Sequence, residues 1–401
     1  MSLVVDPSGS VATVPKGTKG QVPLEKLNLL IIAGEASGDL HGSRLVAALR
    51  ALAPESHIFG IGGDGMATAG MELLFHIRDM AVVGFTEVLR HLPFLRKVMR
   101  TLEREVAARR PVLAILIDYP GFNLRLAKRL RKRGVKILYY IAPQVWAWGA
   151  GRIPKMASFI DEMAVVFPFE VDLFQNAGLT TTFVGHPLLE GLIPKRSRDR
   201  FFSENALEPN QPLLGLLPGS RTHEIERLLP DMLATATQLK TVVPNLQVAI
   251  AKSPTLPVSL YQSYLKNGEA RLVEDATYEL MRDSRACLVC SGTATLETAC
   301  FETPLVIVYR ISRTSYEIGK RVVKLPYIGL VNVVAGKKIA PEFVQNDFVP
   351  EAAAQALMPL IADGPARKEA RDELARVRSR LGTPGASRRT AEIALRLANK
   401  R

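Results

Sequence analysis

Ser291-Gly292-Thr293-Ala294-Thr295-Leu296-Glu297 is the stretch on which the reading of this chain turns. An apolar run, Ala286 to Cys290, precedes it, and another, Leu305 to Tyr309, follows. Strand, tight turn, helix and next strand make one unit of a parallel α/β layer. The turn residues are small enough to let a phosphate reach the backbone. Thr293 to Thr295 open a helix whose unpaired N–H groups and positive end favour an anion. Glu297 lies one turn in, within reach of the two hydroxyls of a ribose. A phosphate and a sugar acceptor at that spacing suggest a nucleotide diphosphate. An ordinary βα turn that binds nothing accounts for the same residues.

The chain on either side repeats the rhythm. Upstream, Leu213 to Leu217 meets Pro218-Gly219-Ser220-Arg221 and a helix beginning near Glu224, with further strands at Leu246 to Ala251 and Arg271 to Val273. In the first half, Leu27 to Ala33 runs into Gly34-Glu35-Ala36-Ser37-Gly38-Asp39 and a helix to about Leu52. Pro111 to Ile117 ends on Asp118, an acid at the carboxyl end of a strand, where open α/β sheets place their ligand chemistry. Val135 to Ile141 leads into a loop holding both tryptophans, Trp146 and Trp148. The expected fold is therefore α/β, with two Rossmann-like domains facing a cleft. We expect a loose N-terminal tail at 1–26, a first domain at 27–190, a polar linker at 191–212, a second domain at 213–375 and C-terminal helices at 376–401.

Composition narrows the function. Hydrophobic residues make up 47% and charged residues 23%, as in a soluble globular protein. The tail lacks the basic-then-apolar order of a signal peptide, so a cytoplasmic protein is expected. A net charge of +13 calls for an anionic partner, yet only 6% of residues are aromatic and no basic stretch interleaves with them. That disfavours nucleic acid and leaves a phosphorylated substrate or an anionic membrane. Phe85, Val88, Leu89 and Leu92 lie among Arg90, Arg96 and Lys97, a basic amphipathic segment that suits either a lipid interface or a buried helix with a solvated edge. Cys287 and Cys290 match C-x-x-C, but three apart on a strand they point to opposite faces and read as buried. Gly60-Ile61-Gly62-Gly63-Asp64-Gly65 matches a dinucleotide fingerprint but follows the second strand instead of the first, so no nicotinamide cofactor is expected. The six histidines are scattered and no metal cluster emerges.

Two such domains would put Gly219, Ser220, Arg221, Ser291, Gly292 and Thr293 on one wall of the cleft, able to hold a nucleotide diphosphate. Glu35, Ser37, Asp39 and Asp118 stand opposite, suited to deprotonating or orienting a hydroxyl. Sugar transfer from a nucleotide follows, with domain closure excluding water.

In these residues the chain resembles the lipid-A-disaccharide synthase family, inverting glycosyltransferases of the GT-B kind. Ala33 to Asp39, Ile117 to Pro120, Pro143 to Trp148, Phe183 to Pro187, Leu217 to Arg221, Ser291 to Glu297 and Leu330 to Asn332 carry the resemblance in order. It implies transfer of a 2,3-diacylglucosamine unit from UDP to the 6-hydroxyl of 2,3-diacylglucosamine 1-phosphate (lipid X), giving a β-1,6 disaccharide and UDP, with no cofactor. Asp118 would be the general base, assisted by Glu35 and Asp39. Ser37, Gly38, Asn123 and Trp146 would contact substrate, and Arg221, Ser291, Thr293, Glu297 and Asn332 the UDP. The resemblance also implies a homodimer and docking of the 82–99 segment on the inner membrane. GT-B enzymes commonly send their terminal helix back to the first domain, and the helical tail Ser387 to Lys400 could do so; the sequence leaves this open. Where the family has a second acid, this chain has Gly121. The competing readings are another GT-B enzyme acting on a UDP-N-acetylhexosamine, such as a 2-epimerase, and a non-catalytic anionic-membrane-binding protein.

Overall fold

The computed structural model describes residues 26–80, 85–265, 269–313, 316–317, 320 and 325–400, with the backbone alone at 85–92, 148 and 150. Its first sheet holds β1 (Asn28–Ala33), β2 (His57–Gly62), β3 (Glu72–His76), β4 (Leu113–Ile117), β5 (Lys136–Tyr140), β6 (Glu162–Val165) and β7 (Thr181–Phe183) in the order β3-β2-β1-β4-β5-β6-β7. The second holds β8 (Leu213–Leu217), β9 (Gln247–Ala251), β10 (Arg271–Val273), β11 (Ala286–Cys290), β12 (Leu305–Tyr309) and β13 (Glu342–Val344) in the order β10-β9-β8-β11-β12-β13. Every pairing is parallel. Strands covered on both faces need no polar alternation, and β4 (LAILI) and β11 (ACLVC) are buried throughout. Cys287 and Cys290 are free and buried, and belong to apolar clusters on opposite faces of the sheet, as their spacing predicts.

In each sheet the strand order reverses beside the first strand, between β1 and β4 and between β8 and β11. Chain leaving neighbouring strands there diverges and opens a crevice at the carboxyl ends. The helices that leave these strands are α1 (Ala36–Leu52) after β1, α3 (Pro120–Arg131) after β4, α4 (Thr222–Val242) after β8 and α5 (Thr293–Cys300) after β11. Between α1 and α3 lies α2 (Phe85–Arg109), which continues through Pro93. Val98, Met99 and Leu102 of α2 are buried, while Arg96 and Lys97 are exposed. The side chains of Phe85, Val88, Leu89, Arg90 and Leu92 lie outside the described residues. Among the described residues no helix is long and apolar enough to cross a membrane.

The 191–212 segment is not a plain polar linker. It contains a helix, Arg198–Glu204, that buries Phe201 and Phe202 completely, and each phenyl contributes roughly 2–3 kcal/mol by leaving water. Glu279 of the second half accepts the N–H groups of Lys195 and Arg196 at 2.7 and 2.8 Å. The aromatic pair, set among charges in the sequence, anchors the connection to the second sheet.

After β12 come α6 (Leu330–Ala335), α7 (Pro350–Ile361), α8 (Pro365–Arg380) and α9 (Ala386–Asn399). Helix α8 packs on α5 and α6, but α9 packs on α1, β4 and β5. Gly382 and Gly385, with φ of 86° and 105°, turn the chain between them. Glu190 then accepts both the N–H and the Oγ–H of Ser387, at 2.8 and 2.7 Å. Arg396 reaches buried Glu162 at 2.7 Å, and Arg389 the carbonyl of Val184 at 2.8 Å. The terminal helix therefore returns to the first sheet, and one apolar cluster runs from Ile31 and Leu113 through Ile393 to Leu217 and Val289.

Candidate active site

The first lobe's wall of the cleft is built at the end of β4. Asp118 and Tyr119 both have left-handed backbones, with φ of 44° and 48°. Such a conformation costs a residue other than glycine about 1–3 kcal/mol and persists only where the surroundings hold it. Three hydrogen bonds do so here. The Asn123 amide donates to the carbonyls of Ile117 and Asp118 at 3.1 and 2.8 Å, and the Tyr139 hydroxyl donates to that of Asp118 at 2.6 Å. The Tyr119 ring lies so close over Gly34 that a Cβ there would collide with it. Glycine at that position lets the two turns pack together. Glu35 stands at the N-cap of α1 without accepting a backbone N–H of the helix, and its carboxylate accepts from Ser37 Oγ at 2.9 Å.

Glu35, Ser37, Gly38 and Asp118 line one cavity of about 380 Å³, together with His41, Gln144, Phe167 and His186. Burial pushes the Asp118 carboxyl up to about 6, with the negative charge of Glu35 adding to the rise and the Tyr119 N–H opposing it. Burial likewise holds His41 down to about 4 and His186 to about 3, so both imidazoles are neutral at pH 7. Neither histidine nor Gln144 was anticipated as a cavity residue. Gln144 and His186 stand in stretches that carry the resemblance, whereas His41 has no such signal. A Cβ at position 121 would meet nothing within 4 Å, so the backbone there leaves room for a side chain.

The second lobe supplies a cavity of about 410 Å³ lined by Gly219, Ser220, Arg221, Ser291, Gly292, Thr293 and Glu297. Gly219 and Gly292 have φ of 114° and 152°. A Cβ on Gly219 would strike the Glu224 carboxylate, while one on Gly292 would meet nothing. Glu224 accepts from the N–H groups of Ser220 and Arg221 at 2.8 and 3.1 Å and from the Arg221 guanidinium at 3.1 Å. The backbone of that turn is therefore already engaged by a carboxylate. What remains for an anion is the Arg221 side chain, 72% exposed, and the first turn of α5, which has no side-chain cap. Glu297 is half-buried, and desolvation raises its pKa; the Tyr278 hydroxyl donates to it at 3.2 Å. Lys252 and Ser253, at the end of β9, also line this cavity and were missed because one lysine after a strand carries no pattern.

Four expected contacts take other places. The Asp39 carboxylate accepts from the N–H groups of Gly63, Gly65 and Met66 at 2.7, 3.0 and 3.0 Å, which ties α1 to the turn after β2. That turn is the false dinucleotide fingerprint, and its glycines leave room for Asp39. Asn123 is wholly buried beneath Asp118. Asn332 is wholly buried too, donating to Ala340 and Glu342 at 2.8 Å and accepting from Ile339 and Ala340 at 2.9 Å. Trp146 is half-buried, with Nε1 donating to Glu170 at 3.0 Å and its ring edge-on to Phe169. None of the four lines either cavity.

Thr293 lines both cavities, so the turn that opens α5 stands where the two lobes meet. Leu330 crosses with it into the first cavity, on a loop whose Ile328 carbonyl accepts from Ser291 Oγ at 2.9 Å. Two parallel sheets with a cleft at their switch points and cavities on both sides of it define the GT-B fold class. Solved structures agree on the fold. A putative UDP-N-acetylglucosamine 2-epimerase from Listeria monocytogenes superposes with a TM-score of 0.62 at 13% identity, covering 91% of this chain and 94% of its own. The calicheamicin glycosyltransferase CalG4 gives 0.58 at 16% identity, covering 92% and 98%. The lipid-A-disaccharide synthetase family model matches residues 29–396. The lipid-A-disaccharide synthase of Syntrophus aciditrophicus is 42% identical over 375 residues, which is 93% of this chain and 98% of that protein. The chain belongs to the lipid-A-disaccharide synthase family.

Proposed function

We propose that the enzyme joins UDP-2,3-diacylglucosamine to lipid X with Asp118 as the general base. The acceptor's 6-hydroxyl oxygen attacks the anomeric carbon of the α-linked donor from the face opposite UDP. The carbon–oxygen bond to the diphosphate breaks, its electron pair leaves with UDP, and the hydroxyl proton passes to Asp118. The product linkage is then β. Arg221 and the amino end of α5 carry the charge that grows on the leaving diphosphate, and Glu297 takes the ribose. Glu35 keeps Asp118 basic through its negative charge. The observation that supports this reading best is the mostly buried Asp118, in one cavity with Thr293 of the donor turn.

Both lipids are drawn from a bilayer, so the protein works on the cytoplasmic face of the inner membrane. Arg96 and Lys97 are exposed on α2 beside the apolar segment that would enter the lipid. Incubation with both lipids should release UDP, and omission of either should stop it. Interconversion of the UDP-sugar without acceptor would support the 2-epimerase reading instead.

A further inference from the structure

A pocket of about 790 Å³ lies away from the cleft. It is entered beside Pro212 and Arg285, just before β8 and β11, and so opens at the amino edge of the second sheet. Five-residue strands at about 3.3 Å per residue separate it from the donor turns by roughly 17 Å. Arginines dominate its charge. Arg198 and Arg282 both meet Asp283, at 3.5 and 2.6 Å, and Arg285 meets Asp363 at 2.6 Å. Arg371 has only a loose contact with Glu302, at 3.8 Å, and Arg378 shares that carboxylate at 3.5 Å.

Arg367 has no carboxylate within ion-pair distance among the described residues, and its Nε is buried without a hydrogen-bond partner. It sits in the first turn of α8, which carries no acid and no side-chain cap. Burial and the charges of Arg285 and Arg371 all lower its pKa, with Asp363 opposing them. A guanidinium does not shed its proton in a protein, so this charge calls for an anion. Mutual repulsion of several arginines is relieved best by a group that brings nearly two charges and several acceptor oxygens, and the forked donors of arginine fit phosphate oxygens in pairs. Beyond the arginines the wall turns apolar: Val242 and Met358 both line the pocket and are 59% and 44% exposed.

We propose that this pocket binds a phosphomonoester, gripped by Arg367 and Arg371, with its organic part against Val242 and Met358. The site is separate from the donor and acceptor cavities, and occupancy would stabilise the second lobe without blocking the cleft.

Calorimetric titration of the full-length protein tests this with inorganic phosphate, glycerol 3-phosphate and dihexanoyl phosphatidate as probes. One phosphate-class event should appear that survives in Arg221→Gln and weakens by about tenfold or more in Arg367→Gln and in Arg371→Gln. Circular dichroism of each variant checks folding, and either arginine variant suffices if the other is unstable. Equal affinity for inorganic phosphate and phosphatidate would identify a soluble anion site. Tighter phosphatidate binding that falls in Met358→Ser would identify a lipid headgroup. Absence of any event with all three probes, or binding unchanged in both arginine variants, would overturn the proposal.

Discussion

The turns after β4 and β11 meet the same demand, a sharp bend at a strand end beside the cleft, with opposite chemistry. After β11 the unusual backbone falls on Gly292, with φ of 152°, and nothing crowds it. After β4 it falls on Asp118 and Tyr119, side chains that strain the backbone and are held by Asn123 and Tyr139. Glycine serves where a ligand must approach the main chain, because it enters that conformation without penalty. Where a side chain must do the chemistry, glycine cannot be used. The strain is then accepted and offset by buried hydrogen bonds.

The sharpest way to break this contrast is Asp118→Asn. If Asp118 is the base, turnover should fall by about 10²–10⁴-fold while UDP affinity stays within about twofold. The pKa of about 6 gives two further readings. The base must be ionised, so wild-type kcat/KM should fall as pH drops through about 6. His41 and His186, near 4 and 3, do not titrate in that range, whereas Glu170, raised to about 7 mainly by burial, does. A limb that moves in Trp146→Phe would therefore belong to Glu170. For stability the sign is reversed. A carboxyl whose folded pKa exceeds its unfolded value near 3.8 costs stability as pH rises from there to about 6. Asp118→Asn removes that cost, so thermal unfolding at pH 7.5 should show stabilisation of up to about 3 kcal/mol. A dead enzyme that melts higher would support both halves of the argument; near-normal turnover would overturn the base assignment.

Asn123→Ala should be next. It removes two donors from buried carbonyls, costing roughly 2–3 kcal/mol in denaturant unfolding, and lets the left-handed turn relax. A base displaced by about 1 Å loses on the order of 10²-fold in kcat. If unfolding is normal and only acceptor KM rises, Asn123 contacts substrate and is no clamp.

These two substitutions also show how far the sequence could be read. The parallel layers were legible because fully covered strands are continuous apolar runs and their turns carry glycine. The returning helix was open in the sequence, since Ser387, Arg389 and Arg396 find their partners about 200 or more residues away. Asp39 and Asn332 stand in stretches that carry the resemblance and Asn123 just beyond one, which for polar residues in sequence looks like ligand contact. Their amide and carboxylate groups instead satisfy backbone donors and acceptors that the folded turns leave unpaired. Burial separates the two roles, and burial is a tertiary property. His41 is missed for the converse reason: a lone histidine has no spacing to betray the cavity it lines.

Gly292→Ala tests the other side of the contrast. The added Cβ meets no atom, so any effect is conformational. A penalty near the low end of 1–3 kcal/mol predicts donor KM raised by about tenfold, with kcat and acceptor KM nearly unchanged. A variant with wild-type donor KM would mean that the turn does not need the glycine backbone.

The smallest effect is expected from Ser291→Ala, and it distinguishes two ways the donor turn could work. The hydroxyl donates to the carbonyl of Ile328, two residues before Leu330, which opens α6 and lines the cavity of Asp118. One such bond contributes about 1 kcal/mol, or roughly a fivefold effect. If Ser291 acts as a tether, its loss loosens Leu330, and acceptor KM should rise as much as donor KM does. If it contacts the nucleotide directly, donor KM alone should rise. The first outcome would mean that the opening residue of the donor turn also shapes the acceptor pocket, so the two walls cannot be treated as independent sites. The second would restore the simpler division, with Thr293 as the residue that spans both.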